Sequence, residues 1–319
     1  MHLGKIKKQV SQYAIKHNIK NVEVGIFNKG CIEYISNGDI FQNAYQIGSI
    51  SKVFTAFTIM LGTKEKKINL SNTIQDFFPE ITMNDDSATI TINELLTHTS
   101  GLPSIPTQFL EIMKANEGNP YESLQIKDII SYFESQQPIK KKQYSYSNFG
   151  FGLLSRIIEI SYEIPFSNFM ESKIFKPLEM NSTSVNPTVL NNEILIEGYT
   201  LNDKKSQIWT DKTLSGAGAI ISTTHDLIKF IEAHFSDNQF AKTLVEMQVA
   251  QNKKMCFGWH RPSFISKIAG LRNFVWHNGM VGGYSSFIAI NQKKMKGIVI
   301  LSNKAISIDE LGILLPSLF

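Results

Sequence analysis

Apolar residues near the two ends of the chain occur in short runs that predict β-strands. Two of these runs, residues 21–27 and 31–35, are joined by a short Asn-Lys-Gly turn and predict a hairpin. Four more strand candidates lie near the other end, at residues 256–260, 273–276, 285–290 and 296–301. Strands at both ends of one chain indicate a single antiparallel sheet to which both ends contribute.

Helical periodicity appears beside these strands and through the middle of the chain. Residues 3–17 place Leu3, Ile6, Val10, Tyr13 and Ala14 on one side of a short amphipathic helix. A closing helix is predicted at 307–315, and residues 63–211 are mostly helical with long loops. The predicted fold class is therefore α+β, an α/β sandwich whose antiparallel sheet is flanked by helices, plus a mostly helical lobe.

The domain prediction follows from this order of elements. Residues 1–62 together with 212–319 form the sheet lobe, residues 63–211 form the helical lobe, and the active site is expected at their junction. A length of 319 residues and 42% hydrophobic content suit a globular enzyme with a sizeable core.

Charge and cysteine content exclude several functional classes. A net charge of +4 is too small and too diffuse to predict nucleic-acid binding, and two cysteines do not make a disulfide framework. No spacing typical of a zinc site occurs, so neither a catalytic metal nor a cofactor is predicted. Without a signal-peptide pattern or a membrane-spanning run, cytoplasmic residence is expected, with export after removal of a leader as the alternative.

The first candidate chemistry is the tetrad Ser49-Ile50-Ser51-Lys52, in which Ser49 is the only serine with a lysine three residues later. Residues three apart on a helix share a face, so the amine of Lys52 can reach the hydroxyl of Ser49. Burial lowers the pKa of an amine, and a neutral amine can take the proton of a serine nucleophile. The alternative is a serine N-cap with a solvated lysine.

The second is Tyr146-Ser147-Asn148, the only Tyr-x-Asn of the chain. A phenol is a poor base at neutral pH, but a neighbouring lysine cation would make the phenolate of Tyr146 more accessible for proton exchange with Ser49. Asn148 offers two donors and an acceptor, which could hold a substrate amide and orient Lys52.

The third is His277-Asn278-Gly279, between two predicted strands. Gly279 would let a substrate backbone come close, and His277 could donate to a bound acyl group. The alternative is a hairpin with a surface histidine.

In their order, these three motifs resemble the penicillin-recognising serine hydrolases. More narrowly they resemble the class C β-lactamase-like group, with its DD-peptidases, D-aminopeptidases, D-amino-acid esterases and amidases, and family-VIII-type carboxylesterases. Four further segments resemble the family in the same order, and the resemblance covers roughly residues 20 to 303: Phe41 to Ala56, Leu95 to Pro103, Pro177 to Thr183 and Gly216 to Leu227.

The resemblance implies a β-lactamase/transpeptidase-like fold and a covalent acyl-enzyme on Ser49. Lys52 and Tyr146 would share the proton of Ser49, Asn148 and His277 would hold the substrate, and the backbone N–H groups of Ser49 and Met280 would bind the oxyanion. True class C β-lactamases have Lys-Thr-Gly at the third motif, where this chain has His277. Because histidine is mostly neutral at pH 7, it grips a substrate carboxylate more weakly than lysine does.

We therefore predict a serine hydrolase that acts on an ester, amide or D-amino-acid peptide bond, with weak or no β-lactamase activity. Its partner would be a small-molecule or short-peptide acyl substrate, with no nucleic acid and no membrane span, and the oligomeric state stays open. Three alternatives use the same scaffold: a sensor that binds penicillin or cell-wall fragments without turnover, an assembly protein, and an acyltransferase.

Overall fold

The structure of the protein, a computed structural model, describes residues 3–38, 42–135, 139, 141–190, 194–263 and 271–318. Its helices are α1 (Leu3–Lys16), α2 (Ser51–Lys64), α3 (Ile74–Phe77), α4 (Asp85–Ala88), α5 (Ile92–Leu96), α6 (Thr107–Lys114), α7 (Ile126–Glu134), α8 (Asn148–Tyr162), α9 (Phe166–Met170), α10 (Thr224–Glu232), α11 (Ala241–Glu246) and α12 (Asp309–Leu314). Its strands are β1 (Val22–Asn28), β2 (Cys31–Ser36), β3 (Ala44–Gln46), β4 (Ile221–Thr223), β5 (Val275–Val281), β6 (Tyr284–Asn291) and β7 (Lys296–Ser302).

Five strands form one antiparallel sheet in the order β2-β1-β7-β6-β5. β1 pairs with β7 in the register Val24↔Ile300, so the first strand of the chain lies beside the last one. This arrangement confirms the predicted α+β fold with an antiparallel sheet built from both ends of the chain.

The sheet separates two hydrophobic cores because side chains alternate between its faces. Ile298 and Ile300 of β7 pack on the side that α1 and α12 cover, where they join Val10 in one cluster. Val299 and Leu301 belong to the larger cluster on the other side, which includes α2, α8 and α10. The predicted terminal helices thus cover one face of the sheet, and α10 packs against the other.

One predicted strand is wrong. Residues 256–260 form no strand, because the chain turns at Gly258, whose φ is +71°. His260 alone makes bridges, with Met255 and with Trp276 of β5. A Cβ at Gly258 would lie 3.1 Å from the Lys52 carbonyl oxygen, so this turn packs directly against α2.

The segment that leads into α2 contains a short strand and a 3₁₀ turn. β3 pairs with β4 in a small second sheet, and a 3₁₀ turn, Gly48–Ile50, connects β3 to α2. Ser51 fixes this turn, since its Oγ accepts a hydrogen bond from the Ile220 N–H at 3.1 Å. Among the described residues, every helix is too short or too polar to cross a membrane.

Removing packed volume from the central strand should destabilise the protein without touching the cleft. We expect Ile300→Ala to lower the free energy of unfolding by about 2–5 kcal/mol, because it leaves a cavity in the core between β7 and α1. Ile32→Ala is the matched control on β2 of the same sheet, where the side chain is 37% exposed and should cost less than about 1 kcal/mol. Urea denaturation of both variants measures the difference, and equal losses would contradict this layered packing.

Candidate active site

Ser49 lies in the middle of the 3₁₀ turn that precedes α2, so the predicted helix begins two residues after the serine. Gly48 has φ +51°, a left-handed conformation that favours glycine. A Cβ at Gly48 would lie 3.0 Å from the Met280 backbone nitrogen, and one at Gly279 would lie 2.2 Å from the Ile47 carbonyl oxygen. These two glycines therefore allow β5 to lie directly against the serine turn.

Lys52 is fully buried, and its Nζ has three hydrogen-bond partners. They are Ser49 Oγ at 3.0 Å, Asn148 Oδ1 at 2.7 Å and the Ala217 carbonyl oxygen at 2.6 Å. A neutral amine fits this set, because it donates two N–H groups to the two carbonyl oxygens and accepts the Ser49 O–H with its lone pair. The alternative of a solvated lysine is therefore wrong, because the Lys52 side chain is fully buried.

The charge of Lys52 follows from its surroundings. Within the described ranges no carboxylate lies at ion-pair distance from its Nζ. Loss of hydration on burial lowers the pKa of Lys52 well below its usual value, as the sequence predicted. A group with a lowered amine pKa is deprotonated at pH values where an exposed lysine is charged, so Lys52 can accept a proton from Ser49.

Tyr146 lies just before α8, and its position depends on the loop that carries it. The Ser147 N–H donates to His98 Nδ1 at 3.1 Å, and the Ser147 Oγ donates to the Pro103 carbonyl oxygen at 2.7 Å. The Lys52 Nζ is 4.9 Å from the centroid of the Tyr146 ring. These contacts hold the phenol beside Ser49 and Lys52.

The protonation state of Tyr146 differs from the sequence expectation. Burial raises the pKa of Tyr146 above 10, and the hydrogen bond between its hydroxyl and Ser49 offsets only part of this rise. The expected accessible phenolate is therefore wrong, because burial outweighs any help from Lys52. The side chain of Tyr146 is therefore a neutral phenol, whose O–H can serve as a proton donor.

Asn148 begins α8 and contacts both sides of the site. Its Oδ1 accepts the hydrogen bond from Lys52, and its Nδ2 donates to the Tyr121 hydroxyl at 3.4 Å. The side chain thus fixes Lys52 on one side and borders a hollow beside Ser49 on the other.

His277 lies on β5 but behind Tyr146. Its ring is buried, with its centroid 6.3 Å from that of Tyr146 and 4.6 Å from that of His260. Its Nδ1 lies 2.6 Å from the Asn278 carbonyl oxygen, and burial lowers its pKa well below the usual value, so the ring is neutral. The alternative of a surface histidine is therefore wrong. His277 also lines neither of the two hollows beside Ser49.

Met280 presents its backbone to the serine turn. Trp276 exchanges two backbone hydrogen bonds with His260, at 2.8 and 3.1 Å, on the edge of β5 that faces away from β6. Backbone groups on an antiparallel strand alternate between its two edges, so Met280, four residues on, also points its N–H to that free edge. The Met280 side chain is 60% exposed, and it is the backbone that approaches Ser49.

Two hollows lie beside Ser49, and Met280 borders both. The first, which we call the Asn148 hollow, has a volume of about 420 Å³ and is also lined by Tyr121, Trp209 and Asp211. The second, the Tyr146 hollow, has a volume of about 930 Å³ and its lining includes Tyr144, Tyr146, His260, Asn278, Gly279 and Asp309. Ser49 can therefore meet a carbonyl group whose two substituents extend into different hollows.

Several groups of this site had no role assigned from the sequence. His98 lies in a segment that resembled the family, while His260 lay in a segment that the apolar pattern made a strand. The ring of His260 stacks on Tyr146 at 6.0 Å, and burial lowers its pKa to about 4. Asp211 and the Ala217 carbonyl oxygen follow no motif spacing.

Within the described part of the chain, no three or more His, Cys, Asp or Glu side chains are grouped so that they could hold a metal ion.

A family model described as Beta-lactamase matches residues 41–314. The protein named "Protein flp" of Staphylococcus aureus (strain NCTC 8325 / PS 47) is 26% identical over 275 residues, which cover 81% of this chain and 52% of that protein. A "Beta-lactamase" of Pseudomonas fluorescens is 24% identical over 323 residues, covering 90% of this chain and 87% of that protein. The chain thus spans about half the length of the staphylococcal relative.

Solved structures share the fold over nearly all of the chain. A β-lactamase/D-alanine carboxypeptidase from Pseudomonas syringae has a TM-score of 0.83 at 20% identity, covering 100% of this chain and 99% of that one. A class C β-lactamase has a TM-score of 0.85 at 19% identity, with coverage of 100% and 98%. The octameric penicillin-binding protein homologue of Pyrococcus abyssi reaches 0.84 at 21%, with coverage of 100% and 77%. These likenesses confirm the β-lactamase/transpeptidase-like fold, and the family match over residues 41–314 shows that the chain belongs to the beta-lactamase family.

Proposed function

We propose that this protein is a serine hydrolase that cleaves esters and amides, including D-amino-acid derivatives, through a covalent acyl-enzyme on Ser49. The observation that carries the proposal is the 3.0 Å contact between Ser49 Oγ and the buried, carboxylate-free Lys52 amine. Membership of the beta-lactamase family supports the same reaction class.

In the acylation step, Ser49 Oγ attacks the substrate carbonyl carbon and gives its proton to Lys52. The carbonyl oxygen becomes an oxyanion, which accepts hydrogen bonds from the backbone N–H groups of Ser49 and Met280. The first N–H groups of a helical turn have no partner within that turn, and the Met280 N–H lies on the free edge of β5. Each such donor contributes on the order of 10²–10³ in rate in comparable serine enzymes.

Collapse of the tetrahedral intermediate breaks the bond to the leaving group. Tyr146 donates its phenolic proton to the departing oxygen or nitrogen, and the Lys52 ammonium returns a proton to the phenolate. The net change is transfer of the Ser49 proton to the leaving group. Water then attacks the acyl-enzyme by the same steps in reverse: water gives a proton to Tyr146, the Tyr146 proton passes to Lys52, and Lys52 gives a proton to Ser49 Oγ as the acyl bond breaks, which restores the resting protonation of all three groups.

The charges around Ser49 support neutral acyl substrates over carboxylate-bearing ones. Asp211 lines the Asn148 hollow and Asp309 lines the Tyr146 hollow, and among the described residues no lysine or arginine lines either one. His277, at the position of the lysine in the class C pattern, is neutral and buried. One cation, Lys254, lies over the Tyr144 ring at 4.3 Å. A substrate carboxylate would therefore meet two acidic groups and no lining cation, which disfavours β-lactams.

Ser49→Ala should abolish acylation by p-nitrophenyl acetate while leaving the fold intact. Lys52→Met should lower the rate on the order of 10³-fold or more, and the double variant should be no slower than Ser49→Ala, because the two groups act as one unit. Lys64→Met, at the exposed end of the same helix α2, is the matched control and should keep full activity. Undiminished turnover by folded Ser49→Ala protein would end the proposal.

Tyr146→Phe should slow substrates in proportion to how much their leaving group needs a proton. We expect a loss of about 10²–10⁴-fold on anilides and alkyl esters, and a much smaller loss on p-nitrophenyl esters, whose leaving group departs without a proton. Tyr162→Phe, at the far end of α8, serves as the control. Steady-state kinetics across the leaving-group series measure this, and equal losses on all substrates would exclude Tyr146 as the proton donor.

The charge argument predicts a preference between two forms of one β-lactam. The methyl ester of benzylpenicillin should acylate Ser49 faster than the free acid by about fivefold or more, because only the free acid brings a carboxylate near Asp309, which lines the same hollow as the proton donor Tyr146. Intact-protein mass spectrometry over time gives both rates. Faster acylation by the free acid would show that the cleft attracts carboxylates, against this proposal.

A further inference from the structure

The two hollows beside Ser49 have different roles if the proposed function holds. Tyr146, the proton donor to the leaving group, lines the larger hollow, so the leaving group belongs there. The acyl chain then occupies the Asn148 hollow, which is the smaller of the two and suits a small group. The lining of this hollow therefore decides which acyl groups are accepted.

Asp211 is the one ionisable carboxylate in that lining, and only half of its hydrogen-bonding capacity is used. Its Oδ1 accepts the backbone N–H groups of Thr213 at 2.9 Å and Leu214 at 2.7 Å. Its Oδ2 has no donor in the ranges that the structure describes, and the residue has no ion pair there. Capping the turn needs only Oδ1, so this structural role leaves the second oxygen unexplained.

Aromatic rings form the wall beside this carboxylate. The ring centroids of Tyr121 and Trp209 lie 5.8 Å apart, and both rings line the hollow. The backbone of Trp209 is fixed to β3, because its N–H donates to Gln46 Oε1 at 2.9 Å and its carbonyl oxygen accepts from Gln46 Nε2 at 2.7 Å. Such rings attract cations through their faces, so the wall and the carboxylate favour the same kind of ligand.

We propose that the Asn148 hollow selects acyl groups that carry an ammonium, as in aminoacyl esters and amides, and that Asp211 Oδ2 binds this ammonium. The inference rests on the proposed function, since it assigns the acyl chain to this hollow. Asp211 is thereby a specificity-determining residue, in contact with substrate but outside the proton transfers.

The pKa of Asp211 agrees with this assignment. Burial raises the pKa of Asp211 to about 7, and the two backbone N–H bonds lower it only in part. The neighbouring Tyr121 is neutral, because burial raises its pKa to about 12. An ammonium would stabilise the charged carboxylate, so the preference for cationic acyl groups should strengthen as the pH rises through about 7 and weaken below it.

Two isosteric substrates test the inference. Alanine p-nitroanilide and isobutyryl p-nitroanilide differ only in that a methyl group replaces the ammonium, and both alanine enantiomers are to be used. Asp211→Asn keeps the Oδ1 acceptor and removes the charge. We expect it to lower the ratio of kcat/KM for the alanine over the isobutyryl substrate by about tenfold or more.

Asp237→Asn, the same change at an exposed residue outside both hollows, should leave the ratio unchanged. An unchanged ratio in Asp211→Asn, or an equal loss on both substrates, would overturn the inference.

A binding measurement separates this inference from the proposed function, because it needs no turnover. Ser49→Ala protein should bind benzylammonium more tightly than benzyl alcohol by calorimetry, and the Ser49→Ala, Asp211→Asn double variant should lose this difference. Equal binding of the two ligands by Ser49→Ala protein would overturn the ammonium site even if Ser49 forms acyl-enzymes. A binding difference that depends on Asp211, with no acylation of Ser49 by any donor, would support the site and overturn the hydrolase.

Discussion

Burial of the Lys52 amine without a carboxylate partner is the constraint on which the rest of the site depends. Removing an isolated ammonium from water is costly, so burial favours the neutral amine, and in that form its lone pair can accept the Ser49 proton. Its two N–H groups need acceptors from elsewhere in the chain, and Asn148 and the Ala217 carbonyl oxygen supply them. In the proposed mechanism, the packing of α2 against α8 and the segment around residue 217 is therefore what activates Ser49.

In the proposed reaction, the sheet contributes mainly backbone groups. Gly48 and Gly279 remove the side chains that would separate β5 from the serine turn, and the free edge of β5 then offers an N–H beside the attacked carbonyl. His277 and His260 are neutral rings packed around Tyr146. Neutral rings lie behind the phenol and each hollow contains a carboxylate, so the described part of the cleft has no lining cation for a carboxylate substrate.

Sequence patterns predicted those features that depend on local order. Short apolar runs predicted β1, β2, β6 and β7, and the first two motifs identified the four side chains that meet at Ser49. His277 of the third motif lies behind Tyr146 instead. The strand predicted at residues 256–260 is wrong because a left-handed turn at Gly258 interrupts an apolar run. The packing of that turn against α2 is a long-range contact, which a local pattern does not show. Asp211 and His260 reach the cleft only through tertiary structure, and the burial that sets the Tyr146 pKa is also invisible in a local pattern.

The most direct test of the central claim is the pKa of Lys52 itself. Protein carrying ¹³C-labelled lysine can be titrated by NMR, with Lys52→Met protein assigning the Cε signal of Lys52. The account predicts that this signal titrates well below the usual lysine range, so that the amine is neutral while the exposed lysines are still charged. A midpoint near 10.5, together with the other lysines, would show that Lys52 is a charged residue at neutral pH and cannot be the base for Ser49.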